Sequence, residues 1–94
     1  MTRLTDLHGM TQAEVEGKYG RAAETETFGA GDNLTEFRIT IRNTYKKDDP
    51  ASAEVKILEE TRPDGDDNIT VWYHSVGGVW KVFESLKWPG DAEF

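Results

Sequence analysis

The chain has 94 residues, 18 acidic against 11 basic, a formal net charge of −7 and no cysteine. That length fits one domain; the acidity argues against nucleic-acid binding, which needs a clustered Lys/Arg surface, and the absence of thiols rules out disulfides, thiolate metal sites and thiol catalysis. No segment approaches the ~20 apolar residues that span a bilayer, and Met1-Thr2-Arg3 leads into no apolar signal core, so the expected location is cytoplasmic.

In chain order, the first predicted element is a helix. Thr11 and Glu14 form a T-x-x-E capping box, and Met10 and Val15 stand at hydrophobic-staple spacing. The helix runs from Gln12 to Tyr19, weakened by Gly17 and stopped at Gly20. Val15 and Tyr19, four apart, form the face that presses onto a sheet, and Leu4 and Leu7 extend it. Ala22 to Phe28 supplies an optional fifth strand, at an edge, before the Gly29-Ala30-Gly31-Asp32-Asn33 loop.

Four strands follow, at 35–45, 53–62, 68–76 and 79–88. In the first, Phe37, Ile39 and Ile41 alternate with Arg38, Thr40 and Arg42, as in a strand buried on one side. Lys46-Lys47-Asp48-Asp49-Pro50 is too polar for a buried path and connects it to the second. Arg62-Pro63-Asp64-Gly65-Asp66 reads as a type I turn with a G1 bulge, which pairs Arg62 with Asp66 and sets Ile57 opposite Val71 and Val55 opposite Tyr73. A loop of two or four residues would instead set Ile57 beside His74 or Trp72. Gly77-Gly78 reaches the positive φ values of a two-residue hairpin turn, which pairs Val76 with Val79, Ser75 with Trp80, Tyr73 with Val82, Val71 with Glu84 and Ile69 with Leu86. The fold class is therefore α+β, a short N-terminal helix packed on a four- or five-stranded antiparallel meander.

Because a strand has a side-chain period of two, this register defines two faces. Ile69, Val71, Tyr73, Trp80, Val82, Leu86 and Trp88 share the core face, together with one charge, Glu84, which snorkels outward, pairs with Lys18 or serves as a functional carboxylate. The outer face carries a row of Lys56, Trp72 and Phe83, with Val76 and Val79 above and Leu58 diagonal to Trp72. Two large aromatics on a polar face mark a contact surface. Three readings are open: a protein partner or homodimer mate, a cleft for an apolar ligand, or cover by the chain's own 21–33 or 89–94 segment, with Phe94 as lid.

His74, opposite Lys81 and near Glu54, has the makings of a general base, but the same row is what a solvated face of cross-strand charges looks like, and no nucleophile stands beside it. His8 has no partner that the sequence names. Asp64, Asp66, Asp67 and Asn68 lack the ligand alternation of a calcium loop, and Gly29-Ala30-Gly31 lacks the Lys-Ser/Thr of a phosphate loop, so neither a metal nor a cofactor is expected.

Gly9-Met10-Thr11-Gln12-Ala13-Glu14-Val15, followed by Gly20, resembles the start of small α+β proteins of the SmpA/OmlA lipoprotein and β-lactamase-inhibitor-like group; the resemblance implies a non-enzymatic binding module with helices on a short antiparallel sheet. The lipid-anchoring cysteine of that group is missing here. Gly78-Val79-Trp80-Lys81-Val82 is similar to the last hairpins of cystatin-like and nuclear-transport-factor-like folds, without the cystatin Q-x-V-x-G loop. The expected function is that of a small acidic, non-enzymatic interaction protein, working through the Trp72/Phe83 face (with His74, Lys56, Leu58 and Lys81) or through the sheet edge. One alternative is an inhibitor or immunity-type protein for a basic target. Another is a ligand-binding or enzymatic domain with a pocket between helix and sheet, using Tyr19, His74 or Glu84.

Overall fold

The computed structural model describes residues 2–32, 34–46 and 48–90, with backbone alone for 2, 3 and 5. Helix α1 (Gln12–Tyr19) starts at the capping box: Glu14 N donates to Thr11 Oγ1 at 3.2 Å and Thr11 N donates to Glu14 Oε1 at 3.0 Å. The bond from the Thr11 backbone holds the Glu14 carboxyl below its ordinary range. Gly20, at φ +85°, ends the helix, and Val15 is its buried residue.

The sheet is antiparallel and five-stranded, with β1 (Thr2–Arg3), β2 (Glu24–Gly29), β3 (Lys56–Asp64), β4 (Asp67–Val76) and β5 (Val79–Pro89) in the order β1-β5-β4-β3-β2. The fold is thus α+β, but the first expected strand is not in the sheet. Residues 36–43 form a 3₁₀ helix instead, and β2, the optional edge strand, takes the place beside β3. A second pattern lies under the alternation. Leu34, Phe37, Ile41 and Tyr45 recur every three or four residues and all pack on the sheet, while Ile39, counted inward by alternation, is 59% exposed.

The β3–β4 turn has two loop residues, Gly65 and Asp66, between paired Asp64 and Asp67. Gly65, at φ +61°, fills the first loop position, where a II′ turn takes glycine. Ile57 therefore lies opposite His74 and Leu58 opposite Tyr73, replacing the expected Ile57–Val71 and Val55–Tyr73 pairs. At the other hairpin, Val76–Val79, Ser75–Trp80 and Tyr73–Val82 pair as expected. A bulge between Trp72 and Tyr73 then shifts the register, so that Val71 meets Ser85 and Ile69 meets Lys87 rather than Glu84 and Leu86.

This slip makes both faces apolar. Leu7 of the N-terminal segment and Val15 of α1 pack on Leu58, Ile69, Val71, Tyr73 and Val82 of the sheet. On the opposite face Ala30, Ile41, Ile57, Trp72, Phe83 and Leu86 form a second core, flanked by Phe28, Phe37, Tyr45 and Trp88. Leu86 and Trp88 belong to this second core, not to the face first expected. The covering segment is held by its arginines. Arg38 Nε and Nη2 grip the two Glu59 oxygens at 2.8 and 2.9 Å, and Arg42 donates to the carbonyls of Ala30, Asp32 and Tyr45.

Two stability measurements check this architecture. Trp72→Ala should cost about 3–5 kcal/mol in urea titration, as for an aromatic removed from a packed interior; a near-neutral result would contradict the second core. Thr11→Ala should cost about 1 kcal/mol, and an unchanged midpoint would mean that the capping box contributes nothing to the native state.

Candidate functional site

The residues singled out from sequence fall into separate environments. Trp72 is fully buried, donates from Nε1 to Glu59 Oε1 at 2.9 Å and lies 5.5 Å from the Phe37 ring. Phe83, 8% exposed, stacks on His74 at 4.7 Å and meets Tyr45 edge-on at 5.2 Å. Leu58 is buried on the α1 face, away from Trp72. Lys56 is exposed and pairs with Gly29; Lys81 lies opposite His74 and bridges to Thr11. The row Lys56–Trp72–Phe83 does not form, because Trp72 has Glu59 and Glu84 as its cross-strand neighbours. The aromatic patch is covered by the chain itself. The cover comes chiefly from residues 34–45 together with Phe28, Ala30 and Val55, extending well past 21–33; Phe94, the expected lid, lies outside the described residues.

His74 is half-buried, and Tyr45 Oη lies 2.5 Å from its Nδ1. Burial holds the imidazole below its ordinary pKa and the Tyr45 hydroxyl above its own. Neither Glu54, in the 3₁₀ turn Pro50–Glu54, nor any nucleophile pairs with His74 across the sheet, where Ile57 stands instead. Glu84 is buried with His8 Nε2 at 3.9 Å, and Lys18 pairs with Asp6 rather than with Glu84. Sequence reasoning missed a polar cluster under α1. Glu60 accepts from Tyr73 Oη, Arg62 Nη2 and Gln12 Nε2, each at 2.7 Å. Burial first, then Glu60, pushes the Tyr73 hydroxyl well above its ordinary value. Arg62, expected at the end of its strand opposite Asp66, is 1% exposed, because the tighter turn carries the strand on to Asp64 and pairs Arg62 with Ile69. The cluster ties helix to sheet.

The two sheet edges differ sharply. Along β5 the N-terminal segment closes the edge: Gly9 N donates to Val82 O at 2.8 Å, Val82 N to Met10 O at 2.9 Å and Ser85 Oγ to Leu4 O at 2.7 Å, while β1 pairs with Leu86 and Lys87. Among the described residues no strand follows beyond β2. Ala30 N donates to Val55 O at 2.8 Å, which fixes the pairing phase: Glu24, Glu26 and Phe28 turn their backbone groups toward β3, and Thr25, Thr27 and Gly29 turn theirs outward. Asp32 closes off Gly29, accepting its N–H at 2.9 Å and donating to its carbonyl at 3.0 Å. Thr25 and Thr27 present their N–H and C=O groups to an open edge.

That edge is acidic and has a groove beside it. Glu24 and Glu26 are exposed on the side of the 3₁₀ segment. The groove, about 440 Å³, lies between β2 and that segment and is lined by Glu26, Thr35, Glu36, Phe37, Arg38 and Glu59. Arg38 reaches Glu26 as well as Glu59 and lies 4.1 Å from the Phe28 ring centroid. Among the described residues no helix is long and apolar enough to cross a membrane. Compared with known protein families, with curated proteins and with solved structures, the chain matches none.

The depressed His74 pKa makes a pH prediction. A histidine whose folded pKa lies below its unfolded value stabilises the fold above about pH 6.5, and that contribution is lost as the pH falls. Urea midpoints should therefore drop between neutral and mildly acid pH, and His74→Phe should flatten the drop. An unchanged slope in that variant would assign the pH dependence to other groups.

Proposed function

We propose that this chain is a small, acidic, non-enzymatic binding protein that takes up an extended segment of a basic protein along β2. One observation carries the reading: the N-terminal segment closes the β5 edge while Thr25 and Thr27 leave two donors and two acceptors facing outward along β2. Strand addition to such an edge draws its affinity from main-chain hydrogen bonds and its specificity from alternate side chains. Glu24 and Glu26 on the strand, with a net charge of −7 behind them, select a basic segment and speed its approach. A charged edge also discourages pairing between copies. Two copies joined through β2 would crowd their glutamates together, so a basic partner is the better occupant. An inhibitor or immunity-type role is one form of this reading, with the basic target as the partner.

The test is a titration with a capped peptide of alternating lysine and threonine, followed through the backbone amide signals of the protein. Shifts should centre on Thr25 and Thr27, and the affinity should fall steeply with salt. Thr25→Pro should fold normally, since the lost N–H points away from β3, yet it should bind at least about tenfold more weakly because one main-chain bond and the strand path are lost. Binding that ignores this substitution, or shifts centred elsewhere, would overturn the reading.

A further inference from the structure

Strand addition alone leaves the neighbouring groove unused. Glu24, Glu26 and Phe28 share the sheet face on which it lies, as the contacts of Arg38 with Glu26 and Phe28 show, and Glu26 lines it. In an antiparallel addition, Glu26 would sit in a non-hydrogen-bonded pair with the incoming strand, the geometry in which facing side chains approach most closely. The incoming residue opposite Glu26 therefore directs its side chain into the groove. We infer that this groove seats a cationic side chain, lysine or arginine, of the partner strand, an assignment that rests on the strand-addition reading above.

The chemistry of the lining supports a cation. Three carboxylates, Glu26, Glu36 and Glu59, face one guanidinium, that of Arg38, which leaves an excess of two negative charges. Glu59 is committed to Arg38 and to Trp72 Nε1. Glu26 engages Arg38 through Oε2 and is 61% exposed, and Glu36 is exposed as well, so both retain room for a second cation. Phe37 in the lining gives the aliphatic stem of a lysine or arginine a surface to lie on while its head stays near water. The chain's own Arg38 is already held in this manner, over an aromatic ring and between two glutamates. Charged heads held by carboxylates at a partly screened site add more to selectivity than to total affinity.

Two capped five-residue strands separate this inference from the reading it rests on. Both alternate threonine and valine, with lysine at the centre of one and the uncharged isostere norleucine at the centre of the other. The expected result is that both perturb the Thr25 and Thr27 amides, that the lysine peptide binds about five- to tenfold more tightly, and that Glu36→Gln lowers this ratio, with Glu26 holding the remainder. Glu36 is exposed on the covering segment, so its replacement leaves the fold intact, as a circular dichroism spectrum would verify. Equal binding of the two peptides to the unmodified protein, or a lysine preference that Glu36→Gln leaves undiminished, overturns the cationic seat and leaves strand addition standing. If neither peptide perturbs Thr25 and Thr27, both assignments fall.

Discussion

The architecture depends on one inserted residue in β5. Because the register slips at Trp72/Tyr73, the adjacent Glu84 and Ser85 both reach the N-terminal segment, to His8 and to the Leu4 carbonyl, while Phe83, Leu86 and Trp88 turn to the other side. Without the slip, Leu86 would have joined Ile69 and one face would have remained mostly polar. With it, Trp72, Phe83, Leu86 and Ile57 form an apolar surface that must be buried. The 3₁₀ segment meets that demand, and a residue run with strand-like alternation is used as a lid. Its fasteners are polar and specific: Arg38 to Glu59, Arg42 to the Ala30 and Asp32 carbonyls, and Tyr45 to His74.

Burying both faces leaves the edges as the places where the sheet can still make backbone hydrogen bonds. The chain treats them unequally. Its N-terminal segment runs along β5 and satisfies that side, and Asp32 caps the end of β2 at Gly29. Thr25 and Thr27 are left between exposed glutamates, with an acidic groove alongside. Hydrogen-bonding capacity, charge and shape thus coincide on one border of the molecule, and on that coincidence the functional proposal stands. The aromatic face that the expected register singled out is buried beneath the chain's own 34–45 segment, and His74 packs between Phe83 and Tyr45.

How much of this was legible in the sequence varies with the strength of the local signal. Thr11, Glu14 and Gly20 specify the helix to the residue, since capping is a local hydrogen-bond exchange. Gly77-Gly78 fixes the hairpin and its first pairs for the same reason. The bulge has no such mark, because Phe83-Glu84-Ser85 contains neither glycine nor proline. Lys56-Ile57-Leu58-Glu59-Glu60 carries adjacent apolar and adjacent acidic residues, so alternation could not fix its parity, and the turn at Gly65 was read one way when the chain takes another. At 34–45 two periodicities coexist. Burial against Trp72 selects the helical one. The open edge was legible only as a weak strand, since whether Thr25 and Thr27 point inward or outward depends on the tertiary pairing phase.

Amide hydrogen exchange along β2, without and with a basic extended peptide, tests the central claim most directly. In the free protein the Glu26 and Phe28 amides should be protected, while those of Thr25 and Thr27 exchange nearly as fast as in an unfolded chain; the peptide should slow the second pair and leave the first unchanged. Protection of Thr25 and Thr27 in the free protein, or no slowing when the peptide binds, would contradict the account.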